Sequence, residues 1–337
     1  MDKIDIVYLW VDGSDKKWAA EKDNWLRQLS GNKFIVADAK ASATNARWRD
    51  NGELKYSMRS VAECLPWVNH IYIITGFGQV PKWLNTKHPK ITIVPHEQII
   101  PADALPTFNS TSIEMCIPNI PGLAEHFILM NDDMMLNRRV NPEFFFDHHG
   151  RAIVNHGNNH RVPADIDAWI ERSEQYTAKL IRCAKLIHDV FGRDMYRPRP
   201  SHGIDPYIKS SWIECISHPL IKPYVEWQIR NKFRTRDDIQ RWMINLYDVI
   251  RGRAVLRRVR PPKATRHHVL DWLYNTLHHR AIRRSPVYVT NAIASRRAIA
   301  RAAIFCINDD DKNTPEIMRG NAEFLAARFP NKCEFEK

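Results

Sequence analysis

Hydrophobic and polar positions along this chain fall into two regimes. Through residues 1–135, short apolar runs alternate with segments of helical spacing. Ile4-Asp5-Ile6-Val7-Tyr8-Leu9-Trp10-Val11 reads as a first strand. Asp12-Gly13-Ser14-Asp15 follows as a polar turn, with Asp15 placed to cap a helix through Trp18, Trp25 and Leu26. Residues 30–50 are small and polar and read as a loop. Leu54, Met58, Val61 and Leu65 recur at helical spacing until Pro66 stops them. His70–Thr75 and Ile91–Val94 read as strands, Asn109 or Ser110 caps a helix through Met115, and Phe127–Met130 is a further strand. This alternation predicts a parallel sheet with right-handed crossovers.

The middle of the chain differs. Ala168–Phe191 reads as one long amphipathic helix ended by Gly192, and Ile204–Ile216, Arg236–Ile250 and His268–Ile282 also have helical patterns. Ala302–Ile307 returns to strand character, and Pro315–Phe329 is a closing helix. The expected fold is therefore α/β and Rossmann-like. A mostly parallel sheet is built from both ends of the chain, residues 1–150 and 295–337, around a mainly helical insertion at 151–294. The last strand is expected to rejoin the sheet.

Composition narrows this only a little. The chain has 337 residues, 44% hydrophobic and 26% charged, which is ordinary for a globular protein. No apolar run is long enough to span a bilayer, and the N-terminus runs directly into strand-like residues, so neither a membrane span nor a signal peptide is expected. Six scattered cysteines without metal-like spacing fit free thiols in a reducing cytoplasm. The net charge of +12 is unusual. Its excess lies in the second half, in one cluster from Arg251 to His268 and another from His278 to Arg284. Such a surface suits an anionic partner: nucleic acid, membrane lipid or a phosphate-rich substrate.

The chemistry-bearing feature is Ile128-Leu129-Met130-Asn131-Asp132-Asp133, an apolar run that ends in an amide and two carboxylates. If the run is a buried parallel strand, its acids fall at the carboxyl end, where open α/β sheets bind ligands. Paired carboxylates there suit a hard divalent cation and, with it, a phosphate-bearing substrate; a plain turn or helix cap is the competing reading. Ile304-Phe305-Cys306-Ile307-Asn308-Asp309-Asp310-Asp311 repeats the pattern far downstream.

These segments resemble the signature blocks of the Stealth proteins, sugar-1-phosphate transferases of bacterial capsule synthesis related to the animal enzyme that tags lysosomal glycoproteins. The first block resembles Ile4–Asp15, and the second Arg47-Trp48-Arg49-Asp50-Asn51-Gly52-Glu53-Leu54 onward to Asn131-Asp132-Asp133. The third resembles Arg199-Pro200-Ser201-His202-Gly203 through Lys232–Asp238, and the fourth Phe305–Asp310 with Phe329-Pro330 downstream. The resemblance implies attack by an acceptor hydroxyl on the sugar-linked phosphorus of a nucleotide diphosphate sugar. A phosphodiester forms and a nucleoside monophosphate leaves.

Phosphoryl transfer of this kind needs positioning, a cation and a proton acceptor. On that basis Asp132, Asp133, Asn308 and Asp309 are the expected ligands of Mg²⁺ or Mn²⁺, with Asn131 orienting the substrate. His202 is the expected general base or phosphate donor, and Arg234 the phosphate clamp, with Arg236 the alternative. Asp132 and Asp309 count with these two as catalytic. Trp10, Asp12, Gly13, Arg47, Arg49 and Asp50 are expected to contact the donor's base, ribose or phosphates. The implied partners are a nucleotide diphosphate sugar, by default a UDP-sugar, and an anionic saccharide or phosphodiester polymer. A cytoplasmic location, with peripheral attachment to the anionic inner face of the membrane, fits the charge. The nearest rival is a metal-dependent glycosyltransferase that breaks the glycosidic bond instead. A Mg²⁺-dependent nucleic-acid-binding protein is a more distant rival, for which the chain shows no recognition motif, so no nucleic-acid partner is expected.

Overall fold

The structure is a computed structural model that describes residues 3–29, 46, 48–260 and 267–337. Its centre is a five-stranded sheet in the order β3-β2-β1-β4-β7. β1 (Ile4–Leu9), β2 (Ile71–Thr75), β3 (Ile91–Pro95) and β4 (His126–Asn131) are parallel, and β7 (Asp205–Ile208) closes the β4 edge antiparallel. The mostly parallel α/β core expected from the sequence is present. β1, β2 and β4 read as continuous apolar runs because both faces are covered: Ile6, Ile73 and Ile128 are wholly buried. The helix Glu53–Cys64 is the crossover from β1 to β2, with Leu54, Met58 and Val61 packed inward.

The order of the strands decides where a ligand can sit. From β1 the chain winds outward through β2 to β3, then returns to place β4 on the other side of β1. Crossovers therefore leave β1 and β4 in opposite directions, which opens a crevice beyond their carboxyl ends. Leu9 pairs with Asn131 in the register, so Trp10–Asp12 and Asn131–Asp133 emerge side by side at that crevice.

The last strand reaches the site by a different route from the one expected. β10 (Ile304–Ile307) does not enter the main sheet. It forms a smaller sheet with β5 (Met134–Leu136), antiparallel, and β9 (Val287–Val289), parallel. β5 follows Asp133 directly, and the Ile307 amide donates to the Asp133 carbonyl at 3.1 Å. The two acidic strand ends thus meet through a hairpin-like extension of β4. Met135, Phe305, Ile307, Leu325 and Phe329 form a separate core under this sheet, against the helix Pro315–Arg328.

The middle segment is also more broken than its periodicity predicts. The expected helix at 168–191 is two, Ile166–Arg172 and Gln175–Phe191, because Glu174 caps the second by accepting from the Tyr176 and Thr177 amides. Gly192 ends it in the left-handed region, φ 64°, as expected. Residues 205–208 are strand β7 rather than helix, and helix resumes at Lys209–Ser217. Helix begins only at Trp242 in the Arg236–Ile250 segment. β6 (Ala152–His156) and β8 (Ala254–Arg258) pair parallel beside these helices.

Candidate functional site

The end of β4 and the turn after it carry a cluster of acidic side chains. Asp132 and Asp133 stand in the turn between β4 and β5, with Glu53 and Asp50 close to Asp132. Burial and these neighbouring carboxylates push the Asp132 pKa well above its ordinary value. Asp50 is raised by burial and by Asp12. Glu53 is pushed up to about 7, mainly by burial, even though Asn51 donates to both its oxygens. Five acids from β1, β4 and the Glu53 helix therefore crowd one crevice, and the cations among the described residues do not hold the Asp50, Glu53, Asp132 and Asp133 carboxyls at ordinary values.

Asp133 is held differently. The Cys306 thiol donates to its Oδ2 at 3.0 Å, while Oδ1 is buried with no hydrogen-bond partner among the described residues. Burial pushes both the Asp133 carboxyl and the Cys306 thiol above their ordinary pKa values, so Cys306 is a protonated donor. His202 completes a trio: one donor atom of each of Asp133, His202 and Cys306 lies within 4.8 Å of the others. The loop that carries His202 is laid across the end of β6, with Ser201 donating from both its amide and its hydroxyl to the Asn155 carbonyl. Tyr288 of β9 meets the imidazole edge-on, ring centroids 4.8 Å apart. His202 is exposed at the surface, but desolvation of its imidazole against Asp133 and Tyr288 depresses its pKa; the Asp133 charge opposes that shift and Arg241 adds to it. The imidazole is therefore neutral near pH 7 and able to accept a proton.

Arg241 faces this trio but is fully engaged. Its guanidinium bridges Glu114 at 2.5 Å and Asp205 at 3.6 Å. Burial pushes Asp205 up to about 6 in spite of the arginine. Arg241 thus positions β7 and the helix Ser110–Met115 behind the site. Arg234 donates to Ser110 Oγ at the start of that helix. Its loop is pinned by Asp238, which is wholly buried. Asp238 accepts from Asn109, Thr111 and Thr235, and Lys179 lies 3.5 Å away. Arg236 turns away from the crevice: its Nη2 donates to the carbonyls of Ile170, Glu171 and Ser173 at the end of the helix Ile166–Arg172.

The second acidic strand end is saturated. Asp309 Oδ2 accepts from Arg49 Nε at 2.6 Å and Asn51 Nδ2 at 3.2 Å, and Oδ1 from Asn313 and its neighbour's amide. Asn308 spends its amide on the Asp309 carbonyl and its backbone N–H on Val289. A cavity of ≈ 20 Å³ is lined by these two residues together with Asn51 and Glu53. Asn308 and Asp309 thus lie next to the crevice, but it is Cys306 of the same strand that joins Asp133. Asp309 and Arg49 pair with each other.

At the end of β1, Trp10 is buried in the main core, with Asp50 nearby. Asp12 caps its own turn, accepting from the Ser14 amide and hydroxyl; its backbone N–H donates to Gln79 Oε1 and its carbonyl accepts from Gln79 Nε2. Gly13 is required by a close approach inside the protein. A Cβ there would lie 2.3 Å from the Trp48 carbonyl oxygen, to which the Gly13 amide donates. Arg47 lies outside the described residues. Glu53, Cys306 and Arg241 were missed by sequence reading. Glu53 looks like an ordinary first-turn acid, Cys306 like a core residue and Arg241 like a surface cation.

Comparison with known proteins follows the same segments. The family described as Stealth protein CR1, conserved region 1, matches residues 2–30, and Stealth protein CR2, conserved region 2, matches residues 47–154. The exopolysaccharide phosphotransferase cps2G of Lactiplantibacillus plantarum is 34% identical over 272 residues, 73% of this chain and 75% of that one. The exopolysaccharide phosphotransferase SCO6023 of Streptomyces coelicolor is 33% identical over 343 residues, 99% of this chain but 52% of its own length. A capsular polysaccharide phosphotransferase WcwK of Streptococcus pneumoniae is 29% identical over 370 residues, 100% of both chains. Among solved structures, galactosyltransferase LgtC in complex with donor and acceptor sugar analogs aligns over 97% of this chain and 95% of that one. Its identity is 12% and its TM-score 0.46.

Proposed function

We propose, from the premise that the chain belongs to the Stealth family and is a transferase of the capsular and exopolysaccharide phosphotransferase kind, that it moves a sugar 1-phosphate. The donor is a nucleotide diphosphate sugar, by default a UDP-sugar, and the acceptor is a hydroxyl of a saccharide or phosphodiester polymer. The observation that carries this reading is the acid cluster at the β1–β4 crevice, in which Asp133 Oδ1, beside a neutral histidine, has no hydrogen-bond partner among the described residues.

The donor set fits a divalent cation. Asp133 Oδ1 and the Asp132 carboxyl are oxygen ligands of the kind Mg²⁺ or Mn²⁺ takes, and Asp50 and Glu53 add negative charge behind them. Bound there, the cation would neutralise pyrophosphate charge and favour the departing nucleotide. Cys306 holds Asp133 in orientation through Oδ2 and so leaves Oδ1 available. His202 accepts the acceptor hydroxyl's proton as the new oxygen–phosphorus bond forms and the pyrophosphate oxygen–phosphorus bond breaks. A nucleoside monophosphate leaves with that bridging oxygen. Asp133, close by, stabilises the imidazolium that results. Arg234, on its loop pinned by Asp238, is the clamp for phosphoryl oxygens; Arg236 is committed to a helix end.

The test is to supply a panel of nucleotide diphosphate sugars with Mg²⁺ or Mn²⁺ and an oligosaccharide acceptor, and to identify the nucleotide released. Nucleoside monophosphate, with the sugar's anomeric configuration kept, supports phosphoryl transfer. Nucleoside diphosphate would mean that the glycosidic bond is broken and the proposal fails.

A further inference from the structure

The helix His268–Leu277 presents its apolar side to water. Val269, Leu270, Trp272, Leu273 and Leu277 are 71%, 62%, 65%, 43% and 78% exposed. At 100° per residue they spread over about 160° of the helix surface. Asp271, Asn275 and His278 take the opposite side, and those three are half-buried. An amphipathic helix on a globular core normally does the reverse. This one is held by its polar side: Arg260 meets the His278 imidazole, and the Tyr274 ring stacks on it with centroids 4.4 Å apart. Ile282, buried in the next helix, His279–Arg284, anchors the far end.

The surroundings of this apolar face are basic. Arg258, at the end of β8, and Arg280 and Arg283, in the next helix, are exposed, and Arg284 lies over the Phe144 ring with Arg257 close by. Asp271 is the one acidic residue between Gly252 and Thr290. A second copy of this chain would set those cations against each other, whereas an anionic surface answers both the charge and the apolar face. No described helix is long and apolar enough to cross a membrane. A ten-residue helix with a tryptophan and three leucines on one side has the form that lies in the plane of a lipid interface.

We infer that His268–Leu277 is an interfacial anchor that seats this enzyme on an anionic bilayer. Its apolar face lies among the headgroups, and the following basic helix lies against lipid phosphates. This stands apart from the reaction proposed above, since neither helix carries a residue of the crevice.

The experiment is co-sedimentation of the full chain with vesicles of phosphatidylcholine alone and of phosphatidylcholine mixed with phosphatidylglycerol. Binding is expected to the anionic vesicles, weakened by salt. Leu270→Ser, Trp272→Ser and Leu273→Ser should each weaken it about tenfold, from lost apolar burial. Arg280→Glu with Arg283→Glu should weaken it further while transfer to a soluble acceptor stays unchanged. These positions are exposed, and an unchanged melting temperature verifies the fold. Absence of binding to anionic vesicles overturns the inference, as does binding that the serine variants leave intact. So does a dimer in sedimentation velocity that the same serine substitutions dissolve, because the face then covers a second copy.

Discussion

Two strand ends in this molecule look alike as sequence and behave oppositely as structure. Asn131-Asp132-Asp133 and Asn308-Asp309 both follow apolar strands, and they lie close together across the contact between the Ile307 amide and the Asp133 carbonyl. At the second, every acidic oxygen is answered: Asp309 pairs with Arg49 and accepts from Asn51 and Asn313. At the first, carboxylates raise the Asp132 pKa and Asp133 Oδ1 is buried without a partner among the described residues. A satisfied acid holds chains together, whereas an unsatisfied one is costly until something else binds to it. The pairing of strand ends brings the two acidic segments together, and only the second of them has its carboxylate fully paired.

The largest expected effect is on turnover at the unsatisfied end. Asp133→Asn should lower kcat by about a thousandfold or more, because it removes charge where phosphoryl charge is to be neutralised. Its melting temperature without added metal should hold or rise, since one repelling carboxylate is gone. His202→Ala should cost about 10²–10⁴ in kcat. The loss should be greatest above pH 7, where the wild-type imidazole is neutral and ready to accept a proton.

Asp309→Asn breaks the comparison from the other side. It weakens the Arg49 pair and should lower stability by about 1–2 kcal/mol, read by denaturant melting. Its effect on kcat should be far smaller than that of Asp133→Asn. Equal losses of turnover from the two substitutions would mean that both ends touch the reacting groups.

A pH dependence of stability bears on the comparison only indirectly. Glu53 is raised in the fold from its ordinary 4.5 to about 7. A raised carboxyl binds its proton more tightly when folded. Its stabilising contribution is therefore full below about pH 4.5 and is lost as pH rises through about 7. The metal-free protein should accordingly melt at a lower temperature at pH 8 than at pH 5.5, and Mn²⁺ should raise the melting temperature more at pH 8. The Glu53→Gln variant should flatten this slope.

What could be read from the chain alone follows from the range of the interactions involved. β2 and the cores of β1 and β4 are legible because burial on both faces writes them as apolar runs, and the edge strand β3 because Ile91, Ile93 and Val94 are β-branched. β5 and β9 are three residues each, too short to show a period, and exist because β10 lies between them. β7 hides because Asp205-Pro206-Tyr207-Ile208 runs directly into a helix, and its strand form comes from pairing with β4. Asp132 and Asp133 are legible as a pair at a strand end. Glu53 becomes part of the site only through the crossover that carries its helix to β4, and Cys306 only through the β5–β10 register. No local pattern contains either contact.

The comparison of the two strand ends is tested most directly by Mn²⁺ binding, measured calorimetrically on the wild-type chain, Asp133→Asn and Asp309→Asn. The account predicts binding by the wild type and by Asp309→Asn with similar affinity, and loss of binding in Asp133→Asn. Binding that survives Asp133→Asn and is lost in Asp309→Asn would contradict it.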